Sequence, residues 1–232
     1  MNSWLTIIWS SVGRKIISAL TGLALFVFII FHLLGNLQLF YGTPEPFNKY
    51  SDFLISLEGI IYILEIGILL SFLFHAVLGT VVWLNKKRAR PEDYCQRSDA
   101  GSPSHKTISS TTMIWTGLIV FIFTVIHVIT FKYGPGIQEG YIASVNGKPV
   151  RDLHRLVVET FTKPGYMIGY VAAMIFLGFH LRHAFWSAFQ SLGIGQQRLT
   201  SILYTVGVLL AIVLALGFLI IPVWIYFKGG IA

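Results

Sequence analysis

Five long apolar runs dominate the pattern of hydrophobic and polar positions along the chain. Each run provides the ~20 residues that a helix needs to cross the hydrocarbon core of a bilayer, and polar stretches separate the runs. The pattern therefore predicts an all-α fold, an integral membrane bundle of five transmembrane helices that forms one domain over residues 1–232. The predicted helices span about 16–41, 59–84, 108–131, 166–190 and 202–227.

The ends of the runs refine this prediction. The first run follows Arg14 and Lys15, as the apolar core of a signal peptide does, but it is too long for one and no small-residue cleavage site follows it. We therefore expect a retained helix. Pro164 can open the fourth helix in its first turn, and Pro222 is expected to kink the last turn of the fifth helix or to end it early. No low-complexity tract and no clear internal repeat is evident.

Composition and charge agree with a membrane protein. The chain is 55% hydrophobic and only 12% charged, about half the charged fraction of a typical soluble domain. Its net charge of +7 lies in short loops beside apolar runs, so basic cytoplasmic loops explain it better than a nucleic-acid partner does. The connection between the second and third runs, together with Arg14, Lys15 and Arg198, carries nine Lys and Arg against seven on the other side. This bias predicts a cytoplasmic N-terminus.

Cys95 is the only cysteine in the sequence. One thiol cannot form an intrachain disulfide, a thiolate-ligated iron–sulfur cluster or a cysteine-rich zinc site. Any iron–sulfur centre that works with this chain must therefore belong to a partner.

Histidines are the candidate chemistry, because ionisable groups within a bilayer are costly and usually functional. Five of the seven histidines lie inside predicted helices. At 1.5 Å per residue, His32 and His127 lie roughly 25 Å and 28 Å from the cytoplasmic face. His75 and His180, on helices that run the other way, both lie ~15 Å from it.

These depths sort the four histidines into two layers, ~10–13 Å apart, with one histidine from each of two helices. The layers predict two six-coordinate haem b groups: an outer pair, His32 and His127, and an inner pair, His75 and His180. Two imidazoles close both axial positions of haem iron, so such haems carry electrons and do not activate ligands. A single intramembrane histidine is often a polar contact between helices, but four at matched depths are much harder to explain that way.

Two glycines lie at the depth of the inner layer. Gly22 and Gly117 each precede an outer-pair histidine by ten residues, which is ~15 Å along a helix. A glycine there could let the flat macrocycle approach the backbone. Glycine is also common at plain helix–helix contacts in membranes.

Other polar groups near the two layers are candidates for supporting roles. Glu65, the only carboxylate deep in a predicted helix, could exchange protons during quinone chemistry; a protonated glutamic acid with one interhelical hydrogen bond is the alternative. His183, one turn after an inner-pair histidine, could contact a haem propionate or a quinone. The solvated loops contain His105 and His154. Haem propionates or lipid phosphates could pair with Arg14, Lys15 and Arg182.

Two segments resemble a known family. SSVGRKIISALTGLALFVFIIFHLLGNLQLF resembles the first helix of the single-chain cytochrome b subunit of succinate dehydrogenases and fumarate reductases, and GFHLRHAFWSAFQSLG is similar to that family's fourth helix. With the five-helix layout, the resemblance covers nearly the whole chain. It implies a membrane anchor in the bacterial cytoplasmic membrane, with a flavoprotein subunit and an iron–sulfur subunit docked on the cytoplasmic face. Menaquinone or another quinone would exchange electrons with it, in the respiratory chain and the tricarboxylic acid cycle.

The resemblance also implies that the family's haem ligands, one on each of the first four helices, correspond to His32, His75, His127 and His180. Some family members have a proton-transferring glutamate two residues before the fourth ligand, whereas this chain has Gly178, so that pathway is not expected. Two other functions remain open. The cytochrome b subunit of a formate dehydrogenase or hydrogenase lacks the two motifs, and a haem-free transporter would more often show repeats and paired broken helices.

Overall fold

The computed structural model describes residues 9–89 and 108–228. Its helices and strands, in chain order, are α1 Ser11–Asn36, α2 Pro44–Ser56, α3 Gly59–Arg88, α4 Ile108–Thr111, α5 Met113–Phe131, β1 Ile142–Val145, β2 Lys148–Arg151, α6 Leu153–Phe161, α7 Pro164–Ser191 and α8 Gln197–Lys228. A 3-10 turn, Leu37–Tyr41, extends α1.

Five helices, α1, α3, α5, α7 and α8, are long and apolar enough to cross a membrane. Only a helix or a closed barrel satisfies all backbone hydrogen bonds within lipid, and these sequences carry few charges that would oppose insertion. For the part of the chain that the structure describes, the prediction of a mainly α-helical fold with five helices that could span a membrane is thus confirmed, and it suggests a multi-pass membrane protein. A short β-hairpin is the exception to the all-α description.

Pro222 does not end α8 early, so that part of the prediction is wrong. The helix continues from Pro222 to Lys228, and the proline side chain is buried. A proline removes one backbone hydrogen bond, and membrane helices tolerate this because neighbouring groups pack around the freed carbonyl.

Two polar connections, expected to be irregular loops, fold into a small structure that we call the polar cap: α2, β1, β2 and α6. β1 and β2 are antiparallel, with Val145 opposite Lys148. The residues between them, Asn146 and Gly147, have positive φ angles of 50° and 76°, as a type I′ hairpin turn requires. Asn-Gly is the strongest short-range hairpin signal, and the hydropathy pattern alone did not reveal it.

Asn48 joins α2 to the start of α6. Its side chain is 1% exposed, its Nδ2 donates to Asp152 Oδ1 at 2.8 Å, and its Oδ1 accepts from the His154 backbone amide at 2.9 Å. Asp152 in turn caps α6 by accepting from the Arg155 amide. These bonds hold His154 in the first turn of α6 with only 8% of its surface exposed, so the prediction of a solvated loop histidine is wrong.

We expect the polar cap to lose stability as the solution becomes acidic. Burial lowers the pKa of His154, against the opposing effect of the Asp152 carboxylate. The folded cap holds a neutral imidazole, so as the pH falls below about 6.5 the unfolded cap takes up a proton first. The folding stability that the neutral His154 contributes above that pH is then lost. Hydrogen-exchange protection of β1, β2 and α6, corrected for intrinsic rates, should fall between about pH 7 and pH 5.

His154→Gln is the matched control, because glutamine is polar and does not titrate in this range. Glu159, whose pKa is lowered by hydrogen bonds from Tyr141 and Arg155, loses its contribution only below about pH 4.3. An equal loss of protection in His154→Gln would assign the pH dependence to another group.

The chain divides into two compact units, and each long helix supplies residues to both. The first unit comprises the described parts of Met1–Phe28, Gly67–Leu118 and Gly178–Ile212. The second comprises the described parts of Ile29–Ile66, Ile119–Leu177 and Val213–Ala232. The first unit contains the inner pair of histidines, and the second contains the outer pair and the polar cap. One domain over residues 1–232 stays a prediction.

Candidate functional site

The four intramembrane histidines singled out by depth lie in two pairs. His32 of α1 and His127 of α5 have ring centroids 5.7 Å apart. His75 of α3 and His180 of α7 have ring centroids 6.3 Å apart. The partners are those that depth counting predicted, whereas iron ligation itself stays a prediction.

The separation of each pair fits a metal ion held between two imidazoles. A metal–nitrogen bond of about 2 Å on each side, added to the ~1.1 Å from an imidazole nitrogen to its ring centre, places the centroids about 6.3 Å apart. The inner pair has this separation, and the outer pair, at 5.7 Å, needs only a small opening. Within residues 9–89 and 108–228, no three His, Cys, Asp or Glu side chains come together as a metal site. Two donors alone suit haem iron, whose porphyrin supplies the other four.

His75 leaves its Nε2 atom free for a metal. Its Nδ1 lies 2.9 Å from the Ser18 carbonyl oxygen of α1. A carbonyl oxygen can only accept, so Nδ1 carries the hydrogen and Nε2 keeps its lone pair. Metal-binding histidines are typically oriented in this way, by a hydrogen bond from the second ring nitrogen to an oxygen.

Gly22 makes the close approach of His75 to α1 possible. A Cβ atom at Gly22 would lie 2.9 Å from His75 Cε1 and 3.0 Å from its Nδ1, closer than such atoms can approach. The sequence suggested that this glycine admits the macrocycle. In the structure the space beside it is occupied by the imidazole of a neighbouring helix.

The other member of the inner pair, His180, has a parallel environment on α5. Its Nδ1 lies 3.3 Å from Thr116 Oγ1, and a Cβ atom at Gly117 would lie 3.3 Å from His180 Cε1. Both inner-pair imidazoles therefore lie against a helix that supplies a glycine and an oxygen atom.

Aromatic side chains surround the outer pair. His127 Nδ1 lies 3.2 Å from the Tyr170 hydroxyl, and Tyr170 is 7% exposed. The Tyr170 ring contacts Phe123 and Phe161, with centroids 4.9 Å away in both cases. On the other side, the His32 ring lies 5.7 Å from that of Phe218, so α8, which has no candidate ligand, also lines this pair.

Gly22 and Gly117, which lie against the inner-pair histidines, belong to an internal repeat that the sequence analysis missed. TGLALFVFIIFH in α1 ends at His32, and TGLIVFIFTVIH in α5 ends at His127; the two segments are identical at six of twelve positions. The glycine of each segment lies beside an inner-pair histidine, and in α5 the threonine before it does so as well. Transporter repeats carry broken helices near the midplane, but α1 and α5 continue unbroken through these segments.

Glu65 has a partner that neither interpretation of the sequence included. It forms an ion pair with Lys132, the residue that follows α5. The two side chains are 40% and 43% exposed, and Glu65 is only six residues into α3. It is therefore near the end of the helix and partly exposed, and it is not an isolated buried carboxyl. A role in proton exchange stays a prediction.

Arg182, two residues after His180, donates hydrogen bonds to two hydroxyl groups. Arg182 donates to the Tyr204 hydroxyl at 2.9 Å and to Ser109 Oγ at 3.4 Å. His183 is half-buried, and the positive charges of Lys86 and Arg182 lie near enough to interact with its imidazole. Contact of His183 with a propionate or a quinone stays a prediction. Two residues named from the sequence, Cys95 and His105, lie outside the described residues.

Comparisons with protein-family models, curated proteins and solved structures find no match to this chain. The resemblance to cytochrome b subunits therefore depends on the two motifs alone, and the functional roles that it implies are proposals.

Proposed function

We propose that the chain is the membrane-anchor cytochrome b subunit of a succinate:quinone oxidoreductase, that is, of a succinate dehydrogenase or fumarate reductase. In this role it passes electrons between an iron–sulfur subunit and a membrane quinone through two bis-histidine haem b groups. The observation that carries the proposal is the pairing of His32 with His127 and of His75 with His180 across four apolar helices.

Bis-imidazole haem exchanges single electrons without binding oxygen or substrate at iron. The chain's own residues hold the imidazoles in position. Ser18 and Thr116 accept from the inner-pair histidines, and Tyr170 orients His127. The aromatic side chains around Tyr170 exclude water, which lowers the local dielectric and strengthens these bonds.

Partner docking fits the basic end of α3. Lys86, Lys87 and Arg88 form its last turn and are exposed. With the N-terminus in the cytoplasm of a bacterial cell, this end faces the cytoplasm, where the iron–sulfur and flavoprotein subunits bind. Anionic lipid headgroups are attracted to the same charges.

The quinone exchanges its electrons and protons on the outer side, near the Glu65–Lys132 ion pair. A carboxylate beside an ammonium group provides both a proton acceptor and a hydrogen-bond donor for a quinone oxygen. Menaquinone or another quinone fulfils this role equally well, because both present the same carbonyl oxygens. His183 contacts a haem propionate or a second quinone.

Purification of the native complex from membranes tests the function. Mass analysis should find a flavoprotein and an iron–sulfur protein with this chain, and the complex should couple succinate oxidation or fumarate reduction to a quinone. A molybdenum-containing or nickel-containing partner would instead indicate a formate dehydrogenase or a hydrogenase. Purification of the chain with neither haem nor partner would favour a haem-free transporter.

A further inference from the structure

Thr116 has a buried hydroxyl with two oxygen or nitrogen neighbours and one hydrogen to donate. The residue is 4% exposed, and its Oγ1 lies 3.1 Å from the Met113 carbonyl oxygen and 3.3 Å from His180 Nδ1. A helical threonine hydroxyl commonly donates to the carbonyl three or four residues earlier. Thr124 and Thr130 of α5 do so at 2.8 Å. Thr116 donates to the Met113 carbonyl in the same way, so its oxygen is left to accept from the imidazole.

We propose that Thr116 is a positioning residue for the inner pair. Its hydroxyl accepts a hydrogen bond from His180 Nδ1, which places the imidazole hydrogen on that atom and keeps Nε2 available to iron. The inference rests on the proposed function, since it requires a haem held by His75 and His180. Unlike a backbone carbonyl, this acceptor belongs to a side chain, so substitution can remove it.

The hydrogen bond has a predictable effect on the haem. Donation from Nδ1 increases the basicity of a metal-bound imidazole, and a more basic ligand favours oxidised iron, which carries the larger positive charge. Thr116 therefore lowers the reduction potential of the inner haem. Loss of one neutral hydrogen bond should raise the ratio of reduced to oxidised haem at a fixed potential about fivefold. At 59 mV per tenfold change for one electron, this is about 40 mV.

The internal repeat supplies a matched control at Thr21. Thr21 begins the repeated segment of α1 as Thr116 begins that of α5. Its hydroxyl donates to the Ile17 carbonyl oxygen at 2.7 Å and lies 3.2 Å from that of Ser18, whereas His75 bonds directly to the Ser18 carbonyl. The two threonines thus occupy equivalent positions of the repeat, but Thr21 bonds only within its own helix, whereas Thr116 also lies against His180.

The test is a spectroelectrochemical titration of the purified full chain, four threonine variants and His75→Ala. Thr116→Val should raise the midpoint potential of the inner haem by about 40 mV, which is the fivefold change in the ratio of reduced to oxidised haem. Thr116→Ala should do the same. Thr116→Ser, which keeps the hydroxyl, should restore the wild-type value. Thr21→Val should leave both potentials unchanged. The inner haem is identified as the one that His75→Ala removes.

Selective loss of the inner haem from Thr116→Val, with retention in Thr116→Ser, would also support positioning. An unchanged potential in Thr116→Val and Thr116→Ala would overturn the inference, as would an equal shift in Thr21→Val. If only Thr116→Val loses both haems, Thr116→Ala decides the test. If Thr116→Val and Thr116→Ala both lose both haems, the inference is overturned. Absence of haem from the wild-type chain would instead refute the proposed function.

Discussion

His32→Ala and His127→Ala should each remove the same single haem and leave the other in place. The ring centroids of the two imidazoles lie 5.7 Å apart, so under the proposed function either substitution would remove one axial ligand of one iron. The inner pair lies in a separate compact unit with its own hydrogen bonds, and we expect it to keep its haem. The haem content per chain should therefore fall by about half, which a pyridine haemochrome assay measures.

Redox titration identifies which haem is lost. Both outer-pair variants should lack the same midpoint, and His75→Ala and His180→Ala should both lack the other one. His154→Gln, which alters a histidine of the polar cap, is the control and should retain both haems. If His32→Ala and His127→Ala removed different midpoints, the pairing of ligands would be wrong.

Gly22→Ala should weaken binding of the inner haem strongly, and Gly117→Ala should weaken it much less. A Cβ atom at Gly22 would lie 2.9 Å from His75 Cε1, whereas one at Gly117 would lie 3.3 Å from His180 Cε1. The first distance forces the imidazole away from its Ser18 acceptor, and the second requires a shift of only a few tenths of an ångström. Displacement of a metal ligand from its supporting hydrogen bond typically costs about 10–100-fold in affinity.

Gly79→Ala is the matched control for these two variants, because Gly79 lies within a long apolar helix, as they do, and its added Cβ would meet open space. Transfer of haem from each purified variant to excess apomyoglobin gives the rate of haem loss. We expect the order Gly22→Ala, then Gly117→Ala, then Gly79→Ala and wild type together. A Gly22→Ala rate equal to that of Gly79→Ala would show that the contact with His75 has no effect on haem binding.

Depth along a helix could be predicted from the sequence because its rise per residue is nearly constant. This was sufficient to pair His32 with His127 and His75 with His180. Depth says nothing about which neighbouring group an imidazole meets, so the acceptors Ser18 and Thr116 became evident only in three dimensions. The repeat TGLxxFxFxxxH was visible in the sequence, but hydropathy averages over the few identical positions that define it.

The polar parts of the chain were harder to predict. Lys132 lies just beyond the predicted third helix, and its long side chain pairs with Glu65 in α3. His154 was expected to be solvated because its segment is polar, but Asn48, more than 100 residues earlier, buries the turn that contains it. Such contacts between distant segments leave no periodic signal in the sequence.

A reduced-minus-oxidised absorption spectrum of the purified chain, combined with its haem-to-protein ratio, tests the central claim most directly. Two low-spin b-type haems per chain are expected, because under the proposed function each of the two histidine pairs would supply both axial ligands to one iron. They should titrate as two one-electron steps. A chain that folds in detergent without binding b-type haem, even when haem is supplied during expression, would contradict the claim.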